Sequence, residues 1–316
     1  MGKDASLIAQ ICRMNYLYNL SQNEISSNLR ISKSAVSRLL KEGKEKGIVT
    51  FQIKDYENRC SFLEEKLEQF FKLKEAVIVS NEGINSEEDI KKKIVKAAAL
   101  LLQRRIREND TVAVSWGTTL AEVVKVINPS FYLNIDVVPL VGGIDNEGRD
   151  ILSNEIARKL SKALRGKYYV LNAPLVVNNL LTKEALEKEN SIKTVIDKAK
   201  SADIAVVGIG SSKQDSTMLK QGCFSVKEFD KLIIDKRVIG DICANLYDIW
   251  GNIIKFPSQN QIMGLQLEEL KHIPTVIGVA CGENKKEAIL GALRGGYVNI
   301  IVTSERVAEY LINNIK

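Results

Sequence analysis

From residue 76 onward the chain alternates short, apolar, β-branched runs with stretches of helical periodicity, and this alternation constrains the fold more than any other feature. The runs are AVIVS (76–80), TVAVS (111–115), DVVPLV (136–141), YYVLN (168–172), IAVVGIG (204–210), TVIGVAC (275–281) and VNIIVT (298–303). Helical patterns fall between them over 87–107, 119–127, 151–165, 183–188, 192–200, 284–294 and 304–315. Strands that are apolar throughout are buried on both faces, and the intervening helices supply the cover. The expected body, residues 76–316, is therefore an α/β domain with a doubly wound, mostly parallel sheet. With 45% hydrophobic residues in a chain of 316, there is ample material for its core.

Ligands of such sheets bind beyond the carboxyl ends of the strands. Four of these ends carry glycine. SWGTT sets Gly117, Thr118 and Thr119 at the start of a helix, where amides and hydroxyls welcome an anion. LVGGID offers Gly142 and Gly143 as a bare backbone rim, and GIGSS offers Gly208 and Gly210. ACGENKKEAI puts Gly282 and Lys285 where a strand gives way to a helix, so the lysine can face a phosphate. Asp241, in VIGDICANLYD, adds a carboxylate able to accept sugar hydroxyls. GIGSS does not complete GxGxxG and no GxxxxGK[ST] occurs, which argues against a dinucleotide or a P-loop nucleotide. Each glycine end alone reads as a turn; together they suit a small phosphorylated polyol.

Other chemistries are excluded by scarcity. His272 is the single histidine, which removes histidine metal cages and a Ser-His-Asp nucleophile, and it sits beside Pro274 as a loop residue. The five cysteines are scattered with no CxxC pair and read as reduced cytosolic thiols. Neither a metal nor a cofactor is expected. No run approaches about 18 apolar residues, and MGKDASLIAQ lacks a signal pattern. The expectation is a cytoplasmic protein with no membrane partner.

The charge is concentrated at one end. Residues 1–54 hold nine Lys/Arg against four acids, so nearly all of the chain's net +6 sits in this head. Ser21 precedes a short helix at capping-box spacing from Glu24, and Ser32 caps a third helix with the apolar stripe Ala35, Val36, Leu39 and Leu40. Two short helices across a tight turn describe a helix-turn-helix over 1–55. Gln22, Ser32, Lys33, Ser34, Ser37, Arg38 and Lys41 are the candidate DNA-contacting residues. The turn lacks its usual glycine, and Asn28 is the residue expected to take the left-handed conformation. GIVTFQIK suits a small β wing. The competing use of three short basic helices is protein docking. Over 56–75, Phe62, Leu63, Leu67, Phe70 and Phe71 recur at helical spacing, giving a linker helix that either packs on the body or pairs with its copy.

These residues carry a family likeness. The head, LSQNEISSNLRISKSAVSRLLKEGKEKGIV, and the body segments SWGTTLAEV, VPLVGGI, ADIAVVGIG, VIGDI and VACGENKKEAILGALRGGYVNIIVTSE resemble, in order and end to end, the SorC family of bacterial sugar-responsive transcription regulators. The resemblance implies a body of the ribose-5-phosphate isomerase/CoA-transferase-like fold, operator DNA as partner, a phosphorylated sugar or polyol as effector, and a homo-oligomer, dimeric or tetrameric. It also implies that Gly117, Thr118 and Thr119 form a phosphate-holding turn, that Asp241 contacts sugar, and that Lys285 faces the phosphate. Two positions depart: Gln261 stands where the family commonly has arginine, and Val141 leaves the VPLVGG loop without a lysine for a covalent imine. Two further readings compete with a ligand-controlled regulator. One is a sugar-phosphate isomerase or deaminase using Asp241 and Lys285; the other is a body serving only for oligomerisation.

Overall fold

Strands apolar on both faces need cover on both faces, and the computed structural model supplies it. It describes residues 3–16, 18, 20–49, 60–84, 86–128, 134–144, 151–212, 216–223, 226–255 and 261–315. The chain divides into two units, Met1–Tyr56 and Glu57–Lys316.

The first unit holds helices α1 (Lys3–Tyr16), α2 (Gln22–Leu29) and α3 (Lys33–Glu45), packed around Ile8, Ile11, Cys12, Ile25, Val36 and Leu40. The capping box forms: Ser21 Oγ accepts from Glu24 N–H at 3.3 Å, and Glu24 Oε2 accepts from Ser21 N–H at 2.7 Å. Ser32 Oγ caps α3 by accepting from Ala35 N–H at 3.2 Å. The left-handed residue of the turn is Arg30 (φ 52, ψ 42), not Asn28. Its own N–H and that of Ile31 both reach back to Ser26 O, so the last orphan carbonyl fixes the position rather than side-chain tolerance. α1 and α3 approach closely at Gly43, where an added Cβ would meet Cys12 Sγ at 2.6 Å. Most of the expected wing lies outside the described residues, and Ile48 and Val49 form no strand.

The second unit opens with α4 (Ser61–Phe71), which packs on the sheet through fully buried Leu67 and leaves Phe62 67% exposed. Its main sheet is formed by β1 (Glu75–Val79), β2 (Thr111–Val114), β3 (Asp136–Pro139), β4 (Lys167–Tyr168), β6 (Ile204–Gly208), β12 (Thr275–Val279) and β13 (Ile300–Ser304). The spatial order is β1-β13-β12-β6-β2-β3-β4, every pairing parallel, with registers such as Ala113↔Val138 and Ala113↔Ala205. Six of them are expected strands; of the run over 168–172 only Tyr168 is in a strand, the exposed two-residue edge β4. Helices α5 (Glu87–Arg105), α6 (Thr118–Val126) and α7 (Ser153–Leu164) bury Ile94, Leu120 and Ile156 with Val112, Val206 and Val302. Leu67 of α4, with Ala199, Ile289 and Leu311 of α9 (Asn190–Lys200), α13 (Lys286–Arg294) and α14 (Glu305–Asn313), joins Ala113, Ala205 and Ile301 in the opposite core. β2 runs on to β3 at one side and β6 to β12 at the other, so their connections diverge. This is the topological switch point.

Several elements are smaller or additional. The expected strand over 204–210 ends at Gly208, and β7 (Gly210–Ser211) enters a second, antiparallel sheet with β8 (Gly240–Ile242), β9 (Asn245–Tyr247) and β10 (Ile253–Ile254). A two-stranded ladder joins β5 (Val176–Val177) to β11 (Gln261–Ile262). Helix α8 (Leu180–Lys188) starts earlier than expected because Asn179 caps it. The short helices α10 (Thr217–Lys220) and α12 (Leu267–Leu270) and the longer α11 (Val226–Lys236) were not anticipated.

The β8–β9 hairpin turns on Cys243 and Ala244, both left-handed at φ 52 and 60. A two-residue turn of this kind ordinarily uses Asn-Gly, and here strain of about 1 kcal/mol per residue is held in place by neighbours. The holder is Asn245, whose buried amide donates to Cys243 O and Leu265 O at 3.0 Å each and to Ile242 O at 3.4 Å. Asn245→Ala is expected to lower the unfolding free energy by about 2–3 kcal/mol, because buried carbonyls lose their donor. A shift of the urea midpoint with unchanged slope would report it.

Candidate functional site

At the switch point, β2 and β6 end side by side, and the segments leaving them diverge around a cleft of about 370 Å³. Thr118 and Thr119 of α6, Gly282, Asn284 and Lys285 at the end of β12, Ser216, Thr217 and Lys220 at α10, and Glu87, Glu88 and Lys91 of α5 line it. A narrower recess continues inward between Trp116, Gly117, Gly208, Gly210 and Asp241, sharing Thr118, Thr119 and Lys285 with the outer cleft. A small phosphorylated ligand fits this size range.

Gly117 enters α6 at φ 123, ψ 161, a conformation essentially reserved for glycine. Its N–H donates to Ile151 O at 2.8 Å, so it shapes the turn without offering a donor to an anion. That leaves the amides of the first turn, with Thr118 and Thr119 lining the cleft, as the groups there that could receive an anion. Thr119 is buried, and its hydroxyl hydrogen-bonds the Cys281 sulfur, which burial pushes up to about 11 and so keeps as an unreactive thiol. Gly282, at φ 100, opens the second turn, and Lys285 N–H donates to Gly282 O at 3.2 Å. Lys91 is tied to Glu122 of α6 at 2.6 Å, which fixes a cation beneath the cleft.

The recess is closed by Asp241, only 8% exposed. Its carboxylate lies against Gly210, opposite it in the β7–β8 ladder, and an added Cβ there would meet Asp241 Oδ1 at 2.0 Å. Gly210 is thus glycine to make room for the acid. Burial pushes Asp241 up to about 6, against the opposing pull of Lys285 and a hydrogen bond from Ala244 N–H. The strained turn after β8 therefore supplies a backbone donor to the carboxylate.

Of the residues anticipated from sequence, Gly117, Thr118, Thr119, Gly208, Gly210, Asp241, Gly282 and Lys285 come together here. Gly142 and Gly143 do not line it. Gly142 N–H donates to Met263 O and Gly143 N–H to Ala173 O, and a Cβ on Gly142 would lie 2.5 Å from Pro174 O. Backbone packing is what Gly142 serves, whereas a Cβ on Gly143 would meet only Asn154 Nδ2 at 3.9 Å. Gln261 pairs with Val177 in β11, Val141 bridges Gly264 in the core, and His272 is exposed after α12, all outside the lining. The sequence reading missed Lys91, Ser216, Thr217 and Lys220. The first lies mid-helix in α5, and the others are carried by α10, a four-residue helix with no periodicity to detect.

In the first unit, Lys33, Ser34, Ser37, Arg38 and Lys41 form the exposed side of α3, opposite buried Val36 and Leu40, while Gln22 is half-buried at the start of α2. Ser32 is committed as a cap, with Ser34 Oγ 3.0 Å from its hydroxyl. Lys41 faces Glu45 at 3.7 Å across two well-exposed side chains, a pair that water screens strongly. Among the described residues no cluster of three or more His, Cys, Asp or Glu suits a metal, and no helix is long and apolar enough to cross a membrane.

Comparison with known proteins adds to this geometry. The profile of the sugar-binding domain family matches residues 55–313. The sorbitol operon regulator of Klebsiella pneumoniae is 32% identical over 98% of both chains. The deoxyribonucleoside regulator of Bacillus subtilis is 30% identical, again over 98% of each. The crystal structure of the full-length Klebsiella regulator superposes with a TM-score of 0.74 at 31% identity, covering 98% of this chain and 100% of that one.

Asp241 also leaves a signature in stability. Its folded value of about 6 lies above its ordinary 3.8, so between these the folded chain keeps a proton that the unfolded chain has lost. Stability therefore falls as pH rises through that window and the penalty levels off above it, on the order of 2–3 kcal/mol. Asp241→Asn is expected to flatten this slope in denaturant titrations from pH 4 to 7. An unchanged slope would remove the buried charge as its cause.

Proposed function

We propose, for a chain that belongs to the sugar-binding-domain family of SorC-like transcriptional regulators, that the switch-point cleft binds a phosphorylated sugar or polyol noncovalently and that its occupancy sets operator affinity. The observation that carries this reading is the pairing of two unlike ends within one cleft. One end combines the α6 amides, Thr118, Thr119 and Lys285, a cradle for a phosphate; the other is buried Asp241, an acceptor for hydroxyls. Gly117, Gly208, Gly210 and Gly282 keep backbone and carboxylate close to the ligand, and Val141 offers no amine for an imine.

The head, residues 1–55, reads operator DNA. Arg38 and the serines of α3 reach base edges, and Lys33 and Lys41 meet phosphates. One helix-turn-helix gives little affinity, so two heads joined in a homo-oligomer act together, and the effector changes which assembly is favoured. By linkage it acts only through differential affinity for those states.

The relatives are named for a sorbitol operon and for deoxyribonucleosides, so sorbitol 6-phosphate and deoxyribose 5-phosphate head the panel of candidates. A stabilising sugar phosphate is expected to raise Tm in wild type. Thr118→Ala combined with Thr119→Ala is expected to weaken it by about tenfold or more, as loss of charge-assisted hydrogen bonds does. Equal operator affinity with and without every sugar phosphate, or turnover of one of them abolished by Asp241→Asn, would overturn the receptor reading.

For the head, Arg38→Ala is expected to cost about 1–3 kcal/mol in operator binding, and Lys41→Ala to lower the salt slope by about one per head. An unchanged slope would take Lys41 off the phosphate backbone.

A further inference from the structure

The Gly282–Lys285 turn is connected outward as well as inward. Glu283, whose neighbours line the cleft, accepts at Oε1 from Arg306 Nη1 at 3.0 Å. Arg306 stands in the first turn of α14, and its N–H donates to Asn81 Oδ1 at 3.2 Å. Beside it, Glu305 Oε2 accepts from Asn81 N–H at 2.8 Å and from Ser80 Oγ at 2.7 Å, which ties α14 to the end of β1. The same carboxylate accepts the thiol of Cys60, the residue immediately before α4. Behind the turn lies a recess of about 30 Å³, bounded by Asn81, Ser86, Glu87, Gly282, Glu283 and Arg306.

The protonation states along this line are fixed around neutrality. Ser80 and the Asn81 amide hold Glu305 below the usual carboxylate range, so it stays an acceptor. Burial, with the charge of Glu305, pushes Cys60 up to about 11, so it stays a donor. Polar contacts thus run from the cleft's second turn to Cys60, the residue immediately before α4. α4 is also the first helix of the second unit, so the covalent path from the head enters through it.

We infer that Glu305 and Arg306 are positioning residues that couple the effector turn to the start of α4. An anion drawn onto Lys285 shifts the turn, the Glu283–Arg306 pair carries that shift to α14 and Asn81, and Glu305 delivers it to Cys60. This rests on the receptor function proposed above. Neither residue lines the effector cleft, so both act on signal rather than on ligand.

The measured quantity is the coupling factor, the ratio of DNA Kd with and without a sugar phosphate. The DNA is a duplex selected by the wild-type protein from random sequence, and the ligands are sorbitol 6-phosphate, fructose 6-phosphate and deoxyribose 5-phosphate. Glu305→Ala and Arg306→Ala are each expected to reduce the factor at least about fivefold, within the usual range of coupling energies. The sugar-phosphate Kd of the DNA-free protein should change less than about threefold. Arg306→Lys, which keeps the charge opposite Glu283, should restore coupling, an outcome that a loss of general stability would not give. Both members of the Glu283–Arg306 pair are well exposed, so Arg306→Ala folds and carries the test even where Glu305→Ala does not. A wild-type factor of one with every ligand refutes the receptor function. A wild-type factor above one that both alanine variants keep in full overturns this link alone.

Discussion

The pairing of β2 with β6 is the contact on which the rest of the second unit depends. Both strands are apolar throughout, so each must be covered on both faces, and their connections leave toward opposite edges of the sheet. Two chains diverging from adjacent points cannot fill the space between them. The crevice is a necessity of topology, and the residues at its rim are whichever ones the strands end on. Gly117 is there because the backbone must turn away sharply at that point, and Thr118 because a helix must begin.

Its inner wall works by a different principle. Asp241 is a carboxylate kept in a place that disfavours its charge, against a glycine that has no side chain to displace it and beside a turn built from the wrong residues for turning. Each of these is individually unfavourable, and each persists because Asn245 and the hairpin around it over-determine the geometry. A group held in this way has little reorganisation left to undergo on binding, which would favour the hydroxyl contact proposed above.

The main sheet was legible because a doubly covered parallel strand is a continuous apolar run, and six of the seven such runs are strands, while the run over 168–172 gives only Tyr168 to the exposed edge β4. The second sheet was not, since its strands are two or three residues long and its tightest turn is Cys-Ala, which carries no glycine, asparagine or proline to mark it. The same limit explains the site. Thr118, Thr119 and Lys285 sit at helix starts after strands, where position alone implies an anion. Ser216, Thr217 and Lys220 reach the cleft through the path of a short helix, which only three dimensions reveal. Gly142 has the same local context as Gly117 yet serves packing, because what a glycine is for depends on the atoms opposite it. In the head, the left-handed residue fell on Arg30 since hydrogen bonding to Ser26 decided the position.

Helix α4 closes the β1 edge of the sheet by an uncommon device. Glu68 Oε1 accepts Ala76 N–H and Glu64 Oε1 accepts Ile78 N–H, each at 2.8 Å, so two side chains stand where a neighbouring strand's carbonyls would be. An apolar strand with free amides is a template for another chain. Undocking α4 would therefore expose these amides as a template for another chain, an arrangement that favours small movements of this helix. A signal of the kind inferred above would then reach α4 as a tilt about two carboxylate pivots, a lever of small throw and not a release.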